Sequence, residues 1–96
     1  MSASSDSWDK NMTINLKAPF RLSQDFANHL PASRPGKIIN LLDATAMRPR
    51  NQSFSYTISK FGLQGLTLAT AHALAPSNIQ VNGIALGAIL PNMNDD

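Results

Sequence analysis

The chain has 96 residues, a length that holds at most one small domain. With 43% hydrophobic and 15% charged residues, the composition excludes a disordered chain. The charges are scattered and sum to +2, which argues against nucleic acid as a partner. The sequence has no cysteine, which excludes disulfides and thiolate metal sites. No apolar segment suits a signal peptide or a membrane span, so we expect a cytoplasmic protein with no membrane partner and no metal site.

The first predicted element is a long amphipathic helix. Residues 1–7 are expected to be disordered, with Ser7 or Asp9 as the cap whose side chain accepts a backbone N–H. Pro19 should strain the helix locally and Pro31 should end it, because proline has no backbone N–H to donate. The apolar side chains that recur every three or four residues are Met12, Leu16, Phe20, Phe26, Ala27 and Leu30.

Two short apolar runs predict strands of a parallel sheet that is covered on both faces. They span residues 37–43 and 78–87, and a helix from Ser53 or Ser55 to about Ala75 separates them. The predicted order is therefore helix, strand, helix, strand. This order places the chain in the α/β class.

The predicted strand ends bring three side chains with useful chemistry to one rim, because ligands of open parallel sheets bind beyond the carboxyl ends of the strands. Asp43 ends the first strand, and Tyr56 and Lys60 lie in the opening turns of the next helix. A lysine ammonium four residues along a helix lowers the pKa of a tyrosine, which makes Tyr56 a candidate acid and base. A chance surface pair remains an alternative for this spacing, and Asn40 is interpreted as a structural residue that bonds loop backbone.

The stretch YTISKFGLQGLTLATAHALAPSNIQVNGIALGAI, residues 56–89, resembles the short-chain dehydrogenase/reductase family. The resemblance implies a doubly wound, Rossmann-like sheet, NAD or NADP as cofactor, and hydride transfer to or from a carbonyl, alcohol or imine. It also implies that Tyr56 donates the proton and that Lys60 holds the nicotinamide ribose. Asn15 lies where the family places an asparagine that supports a water-mediated proton relay, although a structural role in bonding loop backbone is an equal alternative.

Asp43 departs from the family pattern, which usually has a serine thirteen residues before the tyrosine. This departure resembles the pteridine reductase branch, whose members carry an Asp-Tyr-Lys set. A carboxylate suits a pterin because it accepts hydrogen bonds from amino groups and passes protons to a ring nitrogen. The leading prediction is therefore an NADP-dependent pteridine reductase that acts on a small molecule. An ordinary alcohol or carbonyl dehydrogenase is the alternative within the family.

Two further departures concern the cofactor. The family usually has Pro-Gly where this chain has Leu86-Gly87, and by resemblance Gly87 and the backbone of Ile89 would contact the nicotinamide carboxamide. No glycine-rich phosphate loop is present, so residues 1–96 are interpreted as one partial domain without the dinucleotide-binding half. NAD is not excluded, because the residues that select between the two cofactors belong to that half.

Small residues on the second helix predict close approach by another element. They are Gly62, Gly65, Ala69 and Ala73, and a glycine within a helix costs about 1 kcal/mol relative to alanine unless packing compensates. The resemblance implies a homo-oligomer through the helices that carry Asn15 and Tyr56. The competing hypothesis is an inactive remnant or interaction module that keeps these helices only for association.

Overall fold

A computed structural model describes residues 4–43 and 54–86 and confirms the predicted α/β architecture. Two parallel strands form the sheet, and one long helix connects them. The elements are α1 (Ser5–Met12), a π-helical turn (Thr13–Lys17), α2 (Ala18–His29), β1 (Gly36–Asp43), α3 (Phe54–Leu74) and β2 (Ile79–Leu86).

The first helix begins earlier than predicted. Ser4 has extended backbone angles and its hydroxyl accepts the Ser7 N–H at 3.1 Å, so Ser4 is the cap, and the assignment of that role to Ser7 or Asp9 was wrong. Residues 5–7 belong to α1, whereas residues 1–3 of the segment expected to be disordered lie outside the described residues. The sequence did not identify the cap because several serines and aspartates in this segment can accept a backbone N–H equally well.

The strain predicted at Pro19 takes the form of a change in helix type. Pro19 has no N–H for the carbonyl of Asn15, four residues earlier, and its ring would crowd that carbonyl in an α-helix. The chain widens into the π-helical turn Thr13–Lys17 and then restarts as α2, in whose first turn proline is tolerated. Asn15 therefore lies in a π-helical turn, a feature often found at functional sites.

The strands pair in register from Gly36 with Ile79 to Asp43 with Leu86. One face of the sheet packs on α3, as Asn40 shows: its Nδ2 donates to the Thr67 hydroxyl of α3 at 3.0 Å. This bond corrects the interpretation that Asn40 bonds loop backbone. The opposite face exposes Ile39 (57%) and Leu41 (56%), so the prediction of a sheet covered on both faces is wrong for the described part of the chain.

One edge of β1 carries no strand within the described part of the chain. Gly36 donates its N–H toward β2, to the carbonyl of Asn78, and backbone groups of successive strand residues point to opposite sides. The N–H and C=O groups of Ile39 and Leu41 therefore point to the unpaired edge. This edge lies beside Lys60 of α3.

The helix α3 spans 21 residues and ends in a 3-10 turn, Ala75–Ser77. Asn78 follows with a φ of 62°, a left-handed conformation that asparagine tolerates better than most residues, and it turns the chain into β2. The buried side of α3 carries Ser55, Ser59, Leu63 and Thr67, spaced by four residues. No helix among the described residues is long and apolar enough to cross a membrane.

Candidate active site

Tyr56 and Lys60 lie one turn apart near the start of α3, and both side chains are half-buried. The Lys60 Nζ is 5.9 Å from the centre of the Tyr56 ring. The same nitrogen donates a hydrogen bond of 3.1 Å to the carbonyl of Leu41 at the unpaired edge of β1. The ammonium therefore connects the tyrosine with the carboxyl-terminal part of the strand.

Asp43 is the last residue of β1, two residues beyond the carbonyl that Lys60 binds. Its backbone pairs with Leu86, the last residue of β2. The backbone thus places Asp43 at the sheet rim where Lys60 also lies. Gly87 and Ile89, which were predicted to contact a nicotinamide, lie outside the described residues, and their role stays a prediction.

Asn15 reaches the same helix from the π-helical turn. Its Nδ2 donates to the Ser59 hydroxyl at 3.1 Å and lies 3.4 Å from Asn11 Oδ1. Ser59 is fully buried and its hydroxyl donates to the Tyr56 carbonyl at 2.8 Å. Two hydrogen bonds therefore join Asn15 to the turn of α3 that carries both Tyr56 and Lys60.

Close packing supports this contact one turn later on α3. A Cβ built on Gly62 would lie 3.1 Å from Leu16 Cδ2, so the absence of a side chain lets the π-helical turn approach α3. Gly62 therefore allows the close approach that its small size predicted, and the approaching element is the π-helical turn of the same chain. Gly65 has no neighbour within 4 Å of a built Cβ in the described structure.

A groove of about 440 Å³ runs from this site along the unpaired edge of β1. Its apolar lining includes Ile14, Pro19, Phe26, Ile38 and Leu63. Asn15 and Lys60 also line it and supply polar groups. The arrangement offers an apolar surface that ends at an amide and an ammonium.

The family model described as short chain dehydrogenase matches residues 1–96. The chain belongs to the short-chain dehydrogenase family. Its relatives include 2-dehydro-3-deoxy-D-gluconate 5-dehydrogenase of Escherichia coli, which is 40% identical over 86 residues. This match covers 88% of the present chain but only 34% of the relative.

Solved structures of family members match the same part of the fold. FolM alternative dihydrofolate reductase 1 from Brucella canis, in complex with NADP, is 37% identical with a TM-score of 0.80, and the match covers 88% of this chain and 34% of that protein. A 4-hydroxyisoleucine dehydrogenase in complex with NADH is 33% identical with a TM-score of 0.80, over 88% of this chain and 37% of the other. The chain thus spans about one third of the length of these relatives.

The donors near Tyr56 fit the nicotinamide cofactor of this family. The Lys60 ammonium carries three N–H donors, of which the Leu41 carbonyl accepts one, so others remain for the hydroxyl groups of a ribose. The Tyr56 side chain lies on the same side of α3, one turn earlier. These two residues are therefore the ones that would hold the nicotinamide ribose.

Ser59 is the residue of this short-chain dehydrogenase site that sequence reasoning missed. The sequence does not distinguish Ser59 from the other serine and threonine residues of α3. Its four-residue spacing from Ser55 and Leu63 marks a buried side of the helix, which was the available signal. Its role becomes visible only with Asn15, which is 44 residues away in sequence.

We expect replacement of Lys60 by methionine to raise the pKa of Tyr56. The ammonium 5.9 Å from the ring favours the negatively charged phenolate, so its removal favours the neutral phenol. Tyr56 is the only tyrosine in the chain, so the absorbance of tyrosinate during a pH titration reports this group alone. Lys37→Met, which removes an exposed charge from β1, should leave the titration unchanged; a Tyr56 pKa that is equal in the Lys60 variant and the unchanged chain would contradict the coupling.

Proposed function

We propose that the chain carries the catalytic part of a nicotinamide-dependent reductase, with Tyr56 as the proton donor. The observation that carries the proposal is the position of the Lys60 ammonium, which lies between the Tyr56 ring and the carboxyl-terminal part of β1. Ligands of open α/β sheets bind beyond this end of the strands. The chain spans about one third of the length of these relatives, so their complete activity is carried to it here only as a proposal.

Each residue then has a defined task in the reduction. The phenol of Tyr56 donates its proton to the oxygen or ring nitrogen of the reduced double bond, whose carbon accepts the hydride. Lys60 stabilises the phenolate that remains and binds the ribose, while Asn15 supports the supply of a new proton from solvent. When bound, the reduced nicotinamide supplies the hydride.

Asp43 favours a pterin as the substrate. A pterin presents an amino group and ring N–H groups, and an aspartate carboxylate accepts hydrogen bonds from both. A serine hydroxyl at the same position is uncharged, and its single oxygen accepts fewer hydrogen bonds than the two oxygens of a carboxylate. The similarity to a protein described as an alternative dihydrofolate reductase supports this choice, because dihydrofolate contains a reduced pterin ring.

A carbonyl or alcohol dehydrogenase is the second candidate. The 40% identity to 2-dehydro-3-deoxy-D-gluconate 5-dehydrogenase supports a small hydroxylated substrate for the same Tyr56 and Lys60 chemistry. In that case Asp43 would have no part in substrate binding. The two candidates therefore differ in what a change at Asp43 does.

We assign NADP as the cofactor and NAD as the alternative. The reductase-type relative is described in complex with NADP, whereas the dehydrogenase-type relative is described in complex with NADH. We expect the protein to work as a reductase in the cytoplasm, which fits NADP rather than NAD. The assignment therefore follows the choice between the two substrates.

The helices α2 and α3 also support the proposal of a homo-oligomer. A groove of about 330 Å³ lies between them, and Ala69 and Ala73 line its α3 side. Small side chains there leave room for a helix of a second copy to approach. Phe20 of α2 lines the same groove, is 46% exposed and adds apolar area for such a contact.

Cofactor binding tests the proposal directly. Titration of the full chain with NADPH, followed by the fluorescence of the cofactor, should give saturable binding that Lys60→Met weakens strongly. Lys10→Met removes an equal charge from the exposed surface of α1, away from the groove, and should bind as the unchanged chain does. Equal affinity in the Lys60 and Lys10 variants, or no saturation at millimolar cofactor, would refute the proposed role of this site and favour an interaction module.

A further inference from the structure

Ser59 uses its hydroxyl as donor and as acceptor, in one contact on each side of the site. The group has one hydrogen to donate, and this hydrogen goes to the Tyr56 carbonyl at 2.8 Å. A lone pair then accepts the Asn15 amide at 3.1 Å. With 0% of the residue exposed, water has no access to replace either bond.

Asn15 depends on this contact for its position. The π-helical turn around it lacks an α-helical hydrogen-bond pattern, and its i+4 residue is Pro19, which has no N–H. The second contact of the Asn15 Nδ2, with Asn11 Oδ1, is longer at 3.4 Å. The bond to the Ser59 hydroxyl is thus the shorter of these two contacts of the Asn15 amide and the one that reaches α3.

We propose that Ser59 is a positioning residue that fixes Asn15 against the Tyr56 turn. This inference rests on the proposed function, since it assigns Ser59 to the proton supply of the same site. Ser59 does not touch the reacting atoms; it acts through Asn15 and through the Tyr56 backbone. Loss of its hydroxyl leaves the half-buried Asn15 amide without its α3 partner, so Asn15 moves away from the turn of α3 that carries Tyr56.

The chain contains a matched control for this contact. Thr67, two turns further along α3, donates its hydroxyl hydrogen to the Leu63 carbonyl at 2.7 Å and accepts the Asn40 amide at 3.0 Å. The chemistry is the same as at Ser59, and the residue is likewise buried. This second contact joins α3 to the middle of β1 and is not part of the Tyr56 site.

The test compares Ser59→Ala with Thr67→Val in the full chain. Both variants remove a buried hydroxyl and keep most of the side-chain volume, so both should lose stability in urea denaturation. Only Ser59→Ala should lower kcat for reduction, by about tenfold, with KM for NADPH unchanged. In the double variant Ser59→Ala/Asn15→Ala, the loss of kcat should be smaller than the product of the two single losses.

Equal effects of the two variants on kcat, or multiplicative losses in the double variant, would overturn the proposal. Hydrogen exchange decides the case in which the unchanged chain has no turnover and the proposed function fails. Ser59→Ala should then accelerate amide exchange in Thr13–Lys17, while Thr67→Val should not. Unchanged exchange in this turn would show that Ser59 does not hold Asn15, whatever the activity of the chain.

Discussion

Replacing Tyr56 by phenylalanine is expected to lower the rate of dihydropterin reduction by about 10²–10⁴-fold, the usual contribution of a positioned acid. Phenylalanine keeps the aromatic ring and removes only the proton that the substrate needs. The effect should appear in kcat, while KM for NADPH changes less, because Lys60 still provides donors for the ribose. Steady-state kinetics with NADPH as the reductant measure both constants.

Two comparisons make this result specific. The variant should keep the circular dichroism spectrum and urea midpoint of the unchanged chain, which shows that the loss is chemical. Phe54→Leu, on the exposed side of the first turn of α3, alters an aromatic residue without touching the proposed proton donor and should retain the rate. Reduction by the Tyr56 variant at the unchanged rate would show that the proton comes from another group.

Replacing Asp43 by serine is expected to lower kcat/KM for a dihydropterin by about 10- to 100-fold, as expected for the loss of hydrogen bonds to a charged group. Serine is the residue usual at this position in the family, so reduction of a simple ketone should be kept or increased. The measurement is the ratio of the two specificity constants in each protein. This ratio should fall in the serine variant, because only the pterin loses hydrogen bonds to the carboxylate of Asp43.

The variant Asp43→Asn separates the charge of the carboxylate from its shape. Asparagine keeps one acceptor oxygen and replaces the other by an N–H₂ donor, which opposes the amino group of a pterin. We therefore expect it to reduce the pterin as poorly as the serine variant. A serine variant that reduces the pterin as well as the unchanged chain would support the carbonyl or alcohol dehydrogenase instead.

The sequence predicted the strands and the long helix well because their signals are local. The apolar runs that contain Ile38 and Val81 were long enough to identify both strands, and Pro76 limited α3 to within one residue of its observed end at Leu74. The four-residue spacing of Tyr56 and Lys60 also placed them on one face of this helix. These features depend on neighbouring residues, which a single sequence displays.

Features that depend on distant contacts were not accessible. The sequence indicated strain at Pro19, but not that a π-helical turn would absorb it and carry Asn15. The roles of Ser59 and Asn40 depend on partners 44 and 27 residues away, and a serine or an asparagine has no periodic signal that identifies such a partner. The contact between Lys60 and a strand carbonyl was equally hidden.

The hydrogen bond from Lys60 to the Leu41 carbonyl has a consequence for self-association. An unpaired strand edge is a template on which another extended chain can add and begin an aggregate. A strand approaching the carboxyl-terminal part of β1 must first displace the Lys60 ammonium from the Leu41 carbonyl. We therefore expect loss of Lys60 to lower the solubility of the chain as well as its proposed activity.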